Sequence, residues 1–306
     1  MILCSGEALI DMLPRETTAG ENAFAPHAGG SVFNTAIALG RLGTPVSFFS
    51  GLSTDLFGQV LVDALAASGV SAELAHRADR PTTLAFVTLT NGQASYAFYD
   101  ENTAGRMLSE DELPAVPDDV TAMFFGGISL AVEPCASTYE ALCLREAPRR
   151  VTMVDPNIRP RFIRDEATYR ARIERIVGAA DVVKLSDEDL AWLTGNDDTH
   201  DGARQLLSKG PAVICVTRGS EGVEGHTPDG IVTVPARKVQ VVDTVGAGDT
   251  FNAGFLAALH DAGALTKTSV RQLDEDTLEA ALTLGVRAAA VTVSRAGANP
   301  PRRDEL

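Results

Sequence analysis

Short apolar runs at 46–49, 122–125, 151–154, 181–184 and 212–216 alternate with longer stretches in which apolar residues recur every three to four positions. Runs of four or five such residues have the length of strands buried on both faces. The stretches near 31–42, 55–67, 135–147, 165–178, 186–194 and 201–208 have the pattern of amphipathic helices. This alternation leaves few solutions. It predicts an α/β fold with a mostly parallel central sheet and helices on both faces, a three-layer sandwich.

Two regions, about 7–28 and 82–103, break the rhythm with period-two segments. One such segment runs over 83–89, meets Asn91-Gly92 as a turn and returns over 94–99. A hairpin does not belong in a parallel sheet. The two regions read as a small antiparallel β-lid beside the main sheet, the alternative being an antiparallel edge on that sheet. With no repeat and no long linker, residues 1–306 read as a single domain. The tail, 275–293, reads as a helix that passes into a strand at 291–293.

A formal net charge of −15 argues against non-specific binding to nucleic acid. No apolar run is long enough to span a membrane, and no basic segment precedes an apolar one at the start, so a cytoplasmic location is expected. Cys4, Cys135, Cys143 and Cys215 form no C-x-x-C pair and read as buried, reduced thiols. The five histidines include no H-x-x-x-H pair, which leaves a zinc hydrolase without support.

The most informative stretch is Asp243-Thr244-Val245-Gly246-Ala247-Gly248-Asp249-Thr250-Phe251. A strand-like run at 239–242 precedes it and a helical pattern from Phe251 to Leu259 follows. The glycines therefore sit where a turn opens a helix, and free N–H groups with the helix dipole make an anion site there. Asp249, alone, would read as an acid placed to suit that dipole. Next to Gly246, Ala247 and Gly248 it gains a second use, since a carboxylate one residue beyond a phosphate site can accept the proton of an attacking hydroxyl. No Walker A loop, dinucleotide fingerprint or protein-kinase set occurs in the chain.

This stretch resembles the C-terminal signature of the ribokinase-type (PfkB) sugar kinases. Gly29-Gly30-Ser31-Val32-Phe33-Asn34, followed by Leu39-Gly40-Arg41-Leu42-Gly43, resembles their N-terminal signature, in the expected order. The likeness spans nearly the whole chain and implies a ribokinase-like fold with a β-lid over the sugar. It implies that Asp249 is the catalytic base and that Gly246, Ala247 and Gly248 form the anion hole for the γ-phosphate of ATP. It further implies that Asp11, Gly29, Gly30 and Asn34 bind sugar hydroxyls, although Asp11 alone reads as a solvent-facing strand residue.

Asp155-Pro156-Asn157-Ile158-Arg159 resembles the D-x-N-x-R stretch of fructokinases and 2-keto-3-deoxygluconate kinases. Asn157 and Arg159 then reach the sugar or the phosphates, or belong to an ordinary polar loop. Thr217, Gly219 and Gly222 resemble the nucleotide-binding turn, and Lys184 is placed to contact phosphate. Asp243, Val245, Thr292, Arg295 and Gly297 fall where some members bind a monovalent cation, potassium, through backbone carbonyls. The family's N-x-x-E element appears as Ser186-Asp187-Glu188-Asp189, so the magnesium that accompanies ATP is expected to be held mainly by the triphosphate and water.

The choice of sugar turns on the lid. Asp100 stands where 2-keto-3-deoxygluconate kinases usually present an arginine, and a carboxylate there would repel an acidic substrate. That favours a neutral sugar, and the Glu7-Ala8-Leu9-Ile10-Asp11 opening looks most like fructokinases. The expected reaction is transfer from ATP to a primary hydroxyl of fructose, giving fructose 6-phosphate. The alternatives are 2-keto-3-deoxygluconate, ribose or a nucleoside as acceptor, and a sugar- or nucleotide-binding regulator without activity. A homodimer formed through the β-lid is a further expectation.

Overall fold

The computed structural model describes residues 1–90 and 93–306, the side chains of 88–90 and 93–96 excepted. Its central sheet has eight strands. Val46–Phe49, Ile2–Ser5, Ala122–Gly126, Val151–Asp155, Val182–Ser186 and Val213–Thr217 lie side by side in that order, all parallel. Val223–His226 and Ile231–Val234 extend one edge antiparallel.

The apolar runs are continuous because both faces of this sheet are covered. Successive residues in a strand point to opposite sides. Cys4, Phe48, Phe124, Met153, Val182 and Cys215 enter a core shared with the helices Ser31–Arg41, Leu56–Ala67, Ala247–Asp261 and Glu275–Val293. Their neighbours Leu3, Phe49, Phe125, Val154, Val183 and Ile214 enter a second core with Cys135–Glu146, Glu166–Ala179, Asp187–Thr194 and Thr199–Leu207. The chain is thus a three-layer α/β sandwich, as the alternation predicts. None of the helices among the described residues is long and apolar enough to cross a membrane.

A second sheet of four strands stands beside the first, in the order Asn22–Gly29, Leu9–Glu16, Leu84–Thr90, Gln93–Tyr99. It is not antiparallel throughout: Leu9–Glu16 pairs parallel with Leu84–Thr90. After the hairpin of Leu9–Glu16 with Asn22–Gly29, the chain passes through the main sandwich before it returns on the other side of Leu9–Glu16. A crossover that long permits parallel pairing. Leu84 lies opposite Tyr99 in the second hairpin, and the Asn91-Gly92 turn expected to join its strands lies outside the described residues.

Two strands expected from the sequence are not strands. Residues 239–242 run as a loop with Val241 and Val242 well exposed. Ile231–Val234 is the outermost strand of the sheet, and residues 239–242 do not add to it; Val242 N–H donates instead to the carbonyl of Val293, at 2.8 Å. Residues 291–293 continue the helix Glu275–Val293 to its end. There Thr292 is fully buried and its hydroxyl bonds Thr250 Oγ1 at 3.0 Å, so packing against the helix Ala247–Asp261 overrides the β preference of Val-Thr-Val. The strands Ile2–Ser5, Val223–His226 and Ile231–Val234 were not expected from pattern alone.

Phe124 and Phe125 are adjacent, fully buried and face opposite layers. Phe124→Ala and Phe125→Ala are each expected to lower stability by about 3–5 kcal/mol. Urea unfolding of the two variants measures this. A sheet covered on one face only would leave one of them near wild type.

Candidate active site

The helix Ala247–Asp261 opens on Gly246, whose φ of 78° is a left-handed conformation that side chains other than glycine rarely adopt. A Cβ there would also meet Ala298 Cβ at 2.8 Å. Thr250 N–H donates to Gly246 O at 2.9 Å, which starts the helical ladder, while Ala247 N–H turns back onto Thr244 O at 3.3 Å. Gly246, Ala247 and Gly248 line a cavity of about 880 Å3 at the carboxyl edge of the central strands.

Asp249 lies in the same wall, buried, one residue past the three amides. Its Oδ1 accepts from Ser31 Oγ at 2.8 Å and its Oδ2 from Asn34 Nδ2 at 2.9 Å. Both donors come from the first turn of the helix Ser31–Arg41, and Thr35 Oγ1 adds a bond to the backbone oxygen of Asp249 at 3.2 Å. Removal from water pushes the carboxyl up to about 6, against the opposing effect of the Asn34 and Ser31 bonds and with a contribution from the negative charge of Asp155. A carboxylate poised near neutrality at an anion site suits a general base.

The N-terminal residues close the other side. Asp11 lines the cavity from Leu9–Glu16, and burial, then the charge of Asp249, raise its carboxyl to about 6. Gly29 is required by Asp11, since a Cβ at Gly29 would fall 2.3 Å from Asp11 Oδ2. Gly30 turns the chain into the helix and also lines the cavity. Glu7, which the sequence offered only as part of the opening motif, proves to be a half-buried organiser. Its Oε1 accepts from Ser31 N–H at 2.9 Å and its Oε2 from Ser129 N–H at 3.3 Å, and burial raises its carboxyl.

From the middle of Val182–Ser186, Lys184 Nζ donates to Oδ2 of Asp155, the last residue of the neighbouring strand, at 3.0 Å, both side chains buried. A Cβ on Gly248 would lie 3.0 Å from Lys184 Nζ, so the ammonium stands at the mouth of the anion hole. Asn157 takes a φ of 43° with its N–H on Asp155 Oδ1 at 3.1 Å. That turn carries Arg159, Arg161 and Arg164 to the cavity wall. Ser31 and Asp155 were not singled out from the sequence. Each is a common residue in a signature whose other members drew attention, and only its contacts reveal its use.

Asp100 corrects an expectation. It pairs with Arg106 at 2.9 Å, and both line the cavity. The carboxylate is compensated by its own neighbour, so the argument that it repels an acidic sugar loses its force.

Of the other expected residues Val245 lines the cavity, and the rest stand apart. Thr217, Gly219 and Gly222 form the turn after Val213–Thr217, outside the cavity lining, with Thr217 Oγ1 on Leu185 O at 3.3 Å. Asp243 accepts from Val245 N–H at 3.0 Å and from Gly297 N–H at 2.9 Å, which ties the two loops behind the anion hole together. Arg295 is turned away to Glu305. Thr292 is held by Thr250 and Ala288 O. Among the described residues, no group of three or more His, Cys, Asp or Glu could hold a metal ion.

The family model for pfkB family carbohydrate kinases matches residues 1–305. The chain is 55% identical to a fructokinase from Rhizobium leguminosarum bv. trifolii over 279 residues, 91% of this chain and 85% of the relative. A crystal structure of fructokinase with bound ATP from Xylella fastidiosa has a TM-score of 0.88 at 30% identity, covering 97% of this chain and 93% of that one. A fructokinase double mutant from Vibrio cholerae O395, in fructose, ADP and potassium ion bound form, has a TM-score of 0.85 at 25% identity, with the same coverage, 97% and 93%.

The charge on Asp249 has a thermodynamic sign. Its native carboxyl takes up a proton near pH 6 and the unfolded one near 3.8, so the native state binds more protons in that window. Stability from this group is therefore lost as pH rises through it. Lowering the pH from about 7 to about 4 is expected to favour the wild type over Asp249→Asn by up to about 3 kcal/mol. Denaturant unfolding of the pair across that range tests it, and a constant difference would mean an ordinary carboxyl.

Proposed function

Because the chain belongs to the pfkB family of carbohydrate kinases, we propose that it transfers the γ-phosphate of ATP to the primary hydroxyl of fructose that yields fructose 6-phosphate. The protein is an ATP-dependent carbohydrate kinase; the acceptor and the roles of individual residues are the substance of the proposal. The observation that carries it is the buried Asp249 carboxylate set one residue beyond the helix-opening Gly246, Ala247 and Gly248, in one cavity wall.

The sugar hydroxyl approaches Asp249, which accepts its proton as the new O–P bond forms and the bond from the γ-phosphorus to the bridging oxygen breaks, releasing ADP. Ser31 and Asn34 already donate to both carboxylate oxygens, so they fix its plane before the acceptor arrives. The Gly246, Ala247 and Gly248 amides and the Lys184 ammonium stabilise charge on the transferring phosphoryl oxygens. Asp11 binds sugar hydroxyls from the four-stranded sheet, with Gly29 and Gly30 making room and Asn157 and Arg159 closing the far side. That sheet acts as the lid that excludes water. Thr217, Gly219 and Gly222 receive the distal end of the nucleotide, and the exposed Val241 and Val242, with Val245, offer its base an apolar surface. The fructokinase from Xylella fastidiosa with bound ATP supports this reading of the nucleotide.

Magnesium, when bound, neutralises phosphate charge. No ready cage exists among the described side chains, which fits a metal that arrives on the nucleotide and keeps its waters. Potassium is assigned to carbonyls of the loops that Asp243 ties together, at Asp243, Val245, Thr292, Arg295 and Gly297. The potassium-bound form of the Vibrio cholerae fructokinase supports it. Four buried, unpaired cysteines accord with a cytoplasmic location.

The test is ADP release with Mg-ATP against fructose, ribose, 2-keto-3-deoxygluconate, adenosine and a blank, in potassium and in sodium buffers. Fructose is expected to give the highest kcat/KM, with a higher rate in potassium. Asp249→Asn is expected to lower kcat at least about 100-fold with smaller changes in KM. A different preferred acceptor overturns the fructose assignment, and near-normal turnover of the variant overturns the base.

The face of the lid sheet turned away from Asp11 bears Phe24, Phe86 and Tyr99 in edge-to-face contact, at 5.0 and 5.4 Å between ring centroids. Phe24 and Tyr99 are exposed. A second copy of the chain is the proposed cover for this stripe. Light scattering is expected to give the mass of a dimer, and Phe24→Ser with Tyr99→Ser that of a monomer; a wild-type monomer overturns the pairing.

A further inference from the structure

A buried ion pair is costly to assemble, because each charge gives up its water. The pair of Asp155 with Lys184 is buried on both sides yet ends at the substrate cavity, which both residues line. Asp155 has three described partners, and each belongs to a different part of the site. Its Oδ2 accepts from Lys184 Nζ at 3.0 Å and from Asn252 Nδ2 at 2.8 Å, while its Oδ1 accepts from Asn157 N–H at 3.1 Å.

Asn252 is fully buried, one turn after Asp249 on the same helix, and its Oδ1 has no described partner. Asp155 is therefore the group that orients this amide and restrains the rotation of the helix that presents both Asp249 and the anion-hole amides. Lys184 has a long, flexible stem. Its ammonium stays beside Gly248 because a fixed carboxylate holds it there. The Asn157 bond sets the left-handed turn that leads to Arg159.

We propose that Asp155 is a positioning residue for phosphoryl transfer, holding Lys184 against the anion hole and fixing, through Asn252, the helix that carries Asp249. This rests on the kinase reading of the cavity and not on the identity of the sugar. A displacement of about 1 Å at reacting groups can cost about 100-fold in rate, so loss of this anchor falls on turnover.

The test compares Asp155→Asn, Lys184→Met and the double variant by steady-state kinetics, by the pH profile of kcat, and by titration calorimetry with ADP and a non-hydrolysable ATP analogue. Asp155→Asn is expected to lower kcat about 100-fold while the KM for the sugar moves less than about threefold. In the Lys184→Met background the same substitution is expected to cost less than about tenfold, because much of its effect passes through Lys184. The preference for the ATP analogue over ADP is expected to fall at least about tenfold in either single variant.

The groups that act on the Asp249 carboxylate are Glu7 and Asp11 from the N-terminal segment, Asp155 and Lys184 from the central strands, and the Ser31 and Asn34 donors. Removing the Asp155 charge alone is expected to move the acid limb of kcat to lower pH. Asp155→Glu, which keeps the charge but shifts it by one methylene, is expected to leave that limb in place and still lower kcat at least about tenfold. It decides the matter if Asp155→Asn does not fold. Turnover within about threefold of wild type in Asp155→Asn or Asp155→Glu overturns the proposal. Equal losses in both Lys184 backgrounds with an unmoved acid limb also overturn it, as they would mark a structural role. If the wild type ignores fructose, the acceptor assignment fails on its own, and an unchanged preference for the ATP analogue in Asp155→Asn still overturns the positioning role.

Discussion

Asp249 is bound at once by two segments far apart in the chain. Ser31 and Asn34, from the first turn of one helix, donate to the carboxylate of another, across more than two hundred residues of sequence. Neither segment makes a site alone. The C-terminal helix supplies the acid and the amide-lined opening, and the N-terminal helix supplies the donors that let the acid sit out of water. Glu7 reaches the same point from the end of the first strand, through the backbone of Ser31. The arrangement of the whole sandwich, with both helices on one face of the sheet, serves to bring these pieces within hydrogen-bond distance.

Electrostatically the site is a set of carboxylates kept close together by specific compensations. Glu7, Asp11 and Asp249 all have carboxyls raised by burial, and Glu7 and Asp11 feel the charge of Asp249 besides. Asp155 is matched by Lys184, and Asp100 by Arg106. The local charge of the cavity is unlike the chain charge of −15, because Lys184 and several arginines line it while most of the acids of the chain lie elsewhere. The pairing of Asp100 explains why a single acidic residue in the lid is a poor guide to the acceptor: its partner, Arg106, lies six positions further on and is invisible in a motif comparison.

Five of the six parallel strands of the central sheet were legible because each contains a short apolar run, a pattern that burial on both faces demands; Ile2–Ser5 was the exception. Ile231–Val234, the edge strand, was not legible, because an edge exposes one side and blurs that pattern; Val223–His226 lies inside the sheet and is buried throughout, but Glu224, Gly225 and His226 interrupt any apolar run. The runs at 239–242 and 291–293 misled for a related reason. β-branched residues prefer strands in general, yet a strand needs a neighbour to pair with. The first run leaves the outermost strand and bonds Val293 instead, and the second is packed as helix against the helix that bears Asp249.

Local order at the opening of the helix Ala247–Asp261 follows from the sequence by itself. A left-handed glycine, two small neighbours and an acid in the first turn are enough to mark where a helix starts, since backbone geometry and the helix dipole are properties of the segment. The partners of Asp249, Asp155, Glu7 and Asp100 were decided only by the tertiary structure. Ser31, Lys184, Asn252, Ser129 and Arg106 are common polar residues whose roles depend on which strands and helices end beside one another. That juxtaposition is set by how two apolar cores close on a shared sheet, a property of the whole chain that no single segment contains.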